Sequence, residues 1–121
     1  MWLYLKTGFY SIVYKAPCKA DELLVRTRSK ADIDKLRNLL KEKYQVDAEV
    51  IDTPKADYAY RMRVPRKTFA AFMADIALEL DYDNFKNTIH ANDYQRHDAY
   101  LKCWETMYAW QRDLKRGTKN E

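Results

Sequence analysis

Glycine is almost missing from this chain, with two residues among 121, and proline is scarce, with three. Flexible linkers and disordered segments are enriched in these residues, so their scarcity argues against both. Apolar runs are also short, and none approaches the roughly 18 residues of a membrane-spanning helix. The amino-terminal residues lack the basic region and long apolar run of a signal peptide. We therefore expect a folded protein without linkers and without a membrane partner.

Cysteine and histidine are equally rare, with two residues of each. Cys18 falls in a predicted loop and Cys103 in a predicted helix, without the paired spacing of a zinc site. We interpret both as ordinary thiols, because neither shows the base and basic surroundings that a catalytic cysteine needs. We expect no metal or other cofactor. Two unpaired thiols suit a reducing, cytoplasmic location.

Apolar residues make up 47% of the chain and aromatic residues 14%, which indicates a packed globule. We predict a single domain over residues 1–121, with residues 115–121 as a frayed tail. Lysine and arginine number 22 against 18 acidic residues, for a net charge of +4. This modest excess favours anionic partners.

The apolar spacing predicts strands alternating with helices. Residues 2–15 form either one bulged strand or two strands in a hairpin around Gly8. Further strands are predicted over residues 22–28, 49–52 and 58–64. Helices are predicted to begin at Ser29, at Pro65 and near Asp93. Their core stripes comprise Ile33, Leu36, Leu39 and Leu40 in the first helix, and Phe69, Phe72, Met73, Ile76, Ala77 and Leu80 in the second. This order predicts an α+β fold, in which an antiparallel sheet of four to five strands carries two to three helices on one face, ferredoxin-like in outline.

Arginine occupies alternate positions in two predicted strands, at Arg26 and Arg28 in one and at Arg61 and Arg63 in the other. Because side chains alternate between the two faces of a strand, each pair projects from one side. If both pairs share a face of one sheet, four guanidinium groups form a patch suited to phosphate or carboxylate. The register of the sheet decides this point, since a slip of one residue reverses it.

We expect this basic strand face to bind RNA or single-stranded DNA, with Arg66 and Lys67 as charges at its edge. Stacking surfaces are offered by Tyr10, Tyr14, Tyr58 and Tyr60. Tyr58 and Tyr60 alternate with the arginines of their strand, so stacking and charge are not expected to share a face there. The alternative is a solvated face, in which the arginines pair with local carboxylates such as Glu22, Glu49 and Asp52.

The last predicted helix is rich in aromatic side chains. Trp104 and Tyr108 share one stripe, and Trp110 lies off it. Tryptophan and tyrosine are enriched at interface hot spots, so these three residues are candidates for docking a protein partner or a second copy of the chain. Such a protein would be an adaptor or an inhibitor. The competing interpretation is that the stripe covers the sheet and leaves only Trp110 exposed.

An acid-base or metal site could assemble in one place only, the cluster of Asp81, Asp83, His90, Asp93, His97 and Asp98. Within it, Asp81, Asp83, His90 and His97 are the candidate residues of a small hydrolase or nuclease. Their spacing repeats no known ligand pattern. A small hydrolase or nuclease is therefore the least favoured hypothesis. A non-enzymatic binding module is the most favoured.

The chain opens with Met1-Trp2 and continues with a Gly-aromatic-Ser segment at residues 8–13. An Asp-Tyr-Asp-Asn-Phe-Lys segment follows at residues 81–86, and an aromatic segment runs from His97 to Tyr108. Together these strings resemble a family of small uncharacterised bacterial proteins, over nearly the whole chain. The resemblance implies a soluble bacterial or phage-borne protein. It brings no activity, cofactor or site residue with it.

Overall fold

The computed structural model describes residues 1–119, and the side chains of residues 1–117. The chain divides into two compact units, Met1–Asp81 and Tyr82–Glu121. The first unit contains strands β1 (Trp2–Leu5), β2 (Gly8–Val13), β3 (Glu22–Thr27), β4 (Val50–Asp52) and β5 (Tyr60–Pro65), and helices α1 (Lys30–Tyr44) and α2 (Arg66–Leu78). The described part of the second unit contains a 3₁₀ helix (Phe85–Thr88) and helix α3 (Tyr94–Lys119).

The five strands form one antiparallel sheet in the order β1-β2-β3-β5-β4. The first segment is thus a hairpin of two strands, with Leu5 paired to Gly8 beside the turn. Helix α1 connects β3 to β4, which run parallel with β5 between them. The predicted α+β class and antiparallel sheet are confirmed. The crossover of β3, α1 and β4 is compatible with a ferredoxin-like outline.

Helices α1 and α2 pack on one face of the sheet. Their buried residues, Ile33, Leu36, Leu40, Phe69 and Phe72, form one cluster with the strand residues Leu5, Tyr10, Ile12, Val25, Met62 and Val64. Three predicted core residues, Leu39, Ala77 and Leu80, are exposed and lie outside this cluster. Leu39 is 37% exposed, and Leu80 is 54% exposed because α2 ends at Leu78, before the stripe reaches it.

Asp32 ties the start of α1 to the sheet. Ser29 caps the helix as predicted, since its side chain accepts a hydrogen bond from the Asp32 amide. The Asp32 carboxylate is 3% exposed and accepts from the Phe9 amide at 3.0 Å. Tyr10 in turn donates its hydroxyl to the Asp32 carbonyl at 3.4 Å. The helix start is therefore fixed by β2 as well as by its own cap.

The second unit has its own aromatic contacts. Phe85 lies 5.8 Å from Tyr82 between ring centroids, and it stacks on Tyr100 at 5.7 Å. Helix α3 continues through residues 115–119, part of the segment predicted to fray, while residues 120 and 121 lie outside the described residues. No helix in the described part of the chain is long and apolar enough to cross a membrane.

Candidate nucleic-acid interface

The register of the sheet brings the predicted arginines to one side. Arg26 and Arg61 are direct partners across β3 and β5, and Arg63 follows two residues later on β5. Arg28 lies two residues beyond Arg26, just after β3 ends. This side is opposite to the one that α1 and α2 cover. We call it the arginine face, and its residues are Trp2, Tyr4, Phe9, Ser11, Val13, Glu22, Leu24, Arg26, Arg28, Ile51, Arg61, Arg63 and Pro65.

The two central arginines are held by neighbouring hydroxyl groups. Arg26 donates to the Ser11 hydroxyl at 2.7 Å, and Arg61 donates to the Thr53 hydroxyl at 3.3 Å. The Arg61 side chain is only 17% exposed, and Asp57 lies 3.6 Å from it. Because both guanidinium groups already donate to protein hydroxyls and Arg61 is largely buried, they supply positive potential more readily than direct contacts with a partner.

The two outer arginines are more accessible. Arg28 is exposed and donates to the Asp57 carbonyl at 2.7 Å. The Arg63 side chain is 42% exposed, and its guanidinium lies 3.8 Å from a Glu22 oxygen. An ion pair of that length at a partly exposed site contributes little to stability, so an incoming anion can replace it at little cost. The predicted pairing of an arginine with Glu22 is therefore present, and it does not prevent an anion from reaching Arg63.

Tyr58 departs from the predicted alternation. The strand β5 begins at Tyr60, and Tyr58 lies in the bend before it. The Thr53 hydroxyl donates to the Tyr58 carbonyl, and the Asp57 carboxylate accepts from the Tyr58 amide. The guanidinium groups of Arg26 and Arg28 lie over the Tyr58 ring, 4.5 and 4.2 Å from its centroid. The expectation that this tyrosine points away from the arginines is therefore wrong, because a loop residue does not follow strand alternation.

Basic groups continue at the start of α2. Arg66 and Lys67 are exposed, and the Arg66 guanidinium lies 5.2 Å from the ring of Tyr14, which is 58% exposed. The first turn of α2 has no acidic residue and its N-cap, Pro65, makes no side-chain capping bond. The helix dipole therefore adds positive potential beside these two side chains.

The middle of the arginine face is closed to solvent. Leu24 and Ser11 are each 1% exposed. Tyr10, one of the predicted stacking residues, is also 1% exposed and lies in the helix-covered core, which Tyr60 packs against. Contacts with a partner can form only around the middle of the face, at Arg28, Arg63 and the exposed aromatic groups.

Cys18 lies beside this basic region. Burial raises the pKa of the Cys18 thiol, and the nearby Glu22 carboxylate raises this pKa further, while Arg63 and Arg66 act in the opposite direction. A raised pKa keeps the thiol protonated near neutral pH, which does not favour a nucleophilic role.

The residues of the predicted acid-base group are divided between the two compact units. Asp81 ends the first unit, whereas Asp83, His90 and His97 belong to the second. The His90 Nδ1 atom accepts a hydrogen bond from the Asn92 amide at 3.1 Å, in the turn before α3. Across the described part of the chain, no three His, Cys, Asp or Glu side chains are placed to share a metal ion.

The predicted aromatic stripe of α3 is exposed. Trp104 is 50% exposed, Tyr108 46% and Trp110 55%, so exposure is not confined to Trp110 as one interpretation had expected. The Trp104 and Tyr108 rings stack in parallel with centroids 5.3 Å apart. Lys86 lies over the Trp104 ring and Arg112 over the Tyr108 ring.

Three aromatic residues on the arginine face were not predicted as site residues. Trp2 pairs with Ser11 across the hairpin, and Tyr4 pairs with Phe9. The alternation of Trp2 and Tyr4 with the core residues Leu3 and Leu5 was a usable signal. It could be interpreted only once the register of three strands was known, because the arginines belong to β3 and β5.

A scan against protein-family models and searches of curated proteins and of solved structures find no match to this chain. Only the chain's own residues therefore indicate what it does.

Proposed function

We propose that this protein is a non-enzymatic binding module whose arginine face engages a nucleic-acid strand, either RNA or single-stranded DNA. The observation that carries the proposal is the register, which aligns Arg26 with Arg61 and sets Arg63 on the same face. Guanidinium groups suit phosphate because they form paired hydrogen bonds with its oxygens. Arg28 and Arg63 would make the direct contacts, with Arg66 and Lys67 at the edge.

The charge balance of the face supports an anionic partner. Its four arginines meet two carboxylates, those of Glu22 and Asp57, at distances of 3.6 Å or more. The remaining contacts go to neutral groups, namely the Ser11 and Thr53 hydroxyls and the Asp57 carbonyl. The face therefore keeps positive charge that local acidic residues do not cancel.

Fluorescence polarisation with labelled single-stranded RNA, single-stranded DNA and duplex DNA, at low and physiological salt, tests the proposal. We expect the double variant Arg28→Ala/Arg63→Ala to bind more weakly. For a single strand, each phosphate contact contributes about 0.7 to the steepness with which log affinity falls against log salt concentration. Losing two contacts should therefore reduce that slope by about 1.4. Arg26 and Arg61 are left in place because their bonds to Ser11 and Thr53 hold the sheet and loop.

The matched control is Lys35→Ala/Lys41→Ala, which removes the same charge from exposed positions of α1. We expect this control to bind nearly as the native chain does. Absence of binding to every probe, or equal weakening in both double variants, would contradict the proposal.

We propose a second candidate function, self-association through α3. Six of the twelve large apolar side chains that are exposed in the described residues belong to this helix: Tyr94, Trp104, Met107, Tyr108, Trp110 and Leu114. Of these, Trp104, Met107, Trp110 and Leu114 follow one another at steps of three and four residues, the spacing that paired helices use, and a second copy carries the same surface. The partner that fits this surface best is another copy of the chain.

A further inference from the structure

Trp2 stands in the same row of the sheet as the central arginines. The pairings run from Trp2 to Ser11, then to Arg26, Arg61 and Ile51. Strands in a sheet are about 4.8 Å apart, so Trp2 lies two strand spacings, or roughly 10 Å, from Arg26. One row of side chains therefore has an indole at its β1 end and the two central arginines on β3 and β5.

The Trp2 side chain is the open aromatic surface of this row. Trp2 is 67% exposed, whereas Tyr4 and Phe9 are half-buried and contact each other with ring centroids 4.8 Å apart. The backbone next to Trp2 is also bonded to the neighbouring strand. The Met1 amino group donates to the Ile12 carbonyl and the Ile12 amide donates to the Met1 carbonyl, both at 2.8 Å. An exposed indole on a fixed strand is poorly explained by packing within the fold.

We infer that Trp2 is a stacking platform for an unpaired base, while Arg28 and Arg63, each two residues along the chain from a central arginine of this row, hold phosphates of the same strand. This inference rests on the proposed function and narrows its substrate class to single-stranded nucleic acid. Bases in a duplex are already stacked and paired, so they cannot lie on an indole without being extruded. Every base has a π-face, so recognition by stacking tolerates different sequences. The ligand is thus a single strand read with little sequence preference.

The test compares Trp2→Ala with Trp2→Phe and with Leu78→Ala, which removes another exposed large apolar side chain, at the end of α2. Each is titrated with a labelled single-stranded oligonucleotide and with an abasic oligonucleotide of equal length, in RNA and DNA forms. Loss of one base-stacking contact weakens binding roughly tenfold. We expect Trp2→Ala to weaken binding to the base-bearing strand by that factor and to leave abasic binding unchanged. Trp2→Phe and Leu78→Ala should keep most of the affinity.

A second readout isolates the indole itself. In the variant Trp104→Phe/Trp110→Phe, Trp2 is the remaining tryptophan of the three. A stacked base should quench its fluorescence, and the abasic strand should not. Circular dichroism establishes that each variant is folded before binding is compared.

The outcomes separate this inference from the proposed function. Binding that depends on Arg28 and Arg63 but is equal in Trp2→Ala and the native chain would overturn the stacking role alone. Preference for duplex over single strand would also overturn it. Absence of binding to all the oligonucleotides would overturn both.

Discussion

At the scale of single residues, the tightest constraint is at Gly8. A Cβ atom added there would lie 2.6 Å from the Tyr10 hydroxyl, 2.8 Å from the Tyr10 Cζ and 3.0 Å from the Asp32 Cγ. Tyr10 and Asp32 are both buried, and hydrogen bonds link them to each other and to the strand beside Gly8. Neither can move away cheaply, so only glycine fits this close approach.

We predict that Gly8→Ala lowers the free energy of unfolding by about 1–3 kcal/mol, the usual cost of overpacking a close-packed site. Gly117 provides the control, because nothing lies within 4 Å of a Cβ added there and it is helical. Gly117→Ala should leave stability unchanged or raise it, by up to about 1 kcal/mol. Urea denaturation measures both. A Gly8→Ala protein as stable as the native chain would contradict the packing assignment.

At this scale, contacts between residues close in the chain can be predicted from the sequence, whereas contacts between residues far apart in the chain cannot. The Ser29 cap could be predicted because its partner, the Asp32 amide, lies one turn away. The bond from the Phe9 amide to the Asp32 carboxylate could not, since the two residues come together only when α1 packs beside β2. The Tyr58 position was missed for a related reason: hydrogen bonds of the loop, and not strand alternation, determine its direction.

At the scale of elements, α1 and α2 are joined by a polar network in addition to their apolar contacts. The Tyr44 hydroxyl donates to the Asp75 carboxylate, and the Lys43 ammonium lies 3.3 Å from Asp75 and 3.1 Å from Glu79. The hydrogen bond from Tyr44, followed by that from Lys43, lowers the pKa of Asp75 below its ordinary value of 3.8. The end of one helix is thereby linked to the end of the other.

A lowered pKa in the folded state means that Asp75 stabilises the fold while it is ionised. This contribution is present above pH 3.8 and is lost as the pH falls through the lower folded value. We predict that Asp75→Asn is less stable than the native chain at neutral pH, and that the difference shrinks as the solution is acidified below pH 3.8. Urea titrations at several pH values measure it. A difference independent of pH would show that ionisation of Asp75 does not stabilise the fold.

Tyr44→Phe is the companion variant, because it removes the first cause of the shift and keeps the aromatic ring. It should reduce the effect of Asp75→Asn when the two are combined. If the losses of stability in the two single variants simply add in the double variant, the stabilisation by Asp75 comes from groups other than Tyr44.

The strands and helices themselves were largely predictable, whereas the site depended on pairing. Alternation alone indicated that Arg26 goes with Arg28 and Arg61 with Arg63. Whether the pairs share a face depended on the register of β3 against β5, which a long intervening segment with α1 and β4 leaves open. The position of Trp2 on the same face depended on two further registers, those of β1 against β2 and of β2 against β3.

At the scale of the whole molecule, the two candidate binding surfaces, one basic and one apolar, fall on different compact units. The arginine face belongs to residues 1–81, and the exposed aromatic stripe belongs to α3 in the second unit. Charge contacts weaken with salt, while apolar contacts do not. The two candidate functions can therefore be separated in solution without altering the chain.

We predict that the native chain self-associates with increasing concentration, and that Trp104→Ser/Tyr108→Ser reduces this association because it removes the stacked pair from α3. Sedimentation velocity over a wide concentration range measures it, at low and at high salt. Arg28→Ala/Arg63→Ala is the control and should associate like the native chain. A monomer at every concentration would exclude the self-association role.

The Tyr58 ring has a consequence for the entropic cost that Arg28 meets when it binds an anion. The Arg28 guanidinium lies over the Tyr58 ring, and one of its N–H groups donates to the Asp57 carbonyl, so its position is restrained by two contacts. Arg28 thus has fewer conformations to lose when an anion arrives, and the entropic cost of binding is partly met during folding. The bend that holds Tyr58, far from being a simple connection between strands, thus sets in advance the position of an exposed cation beside the end of β3.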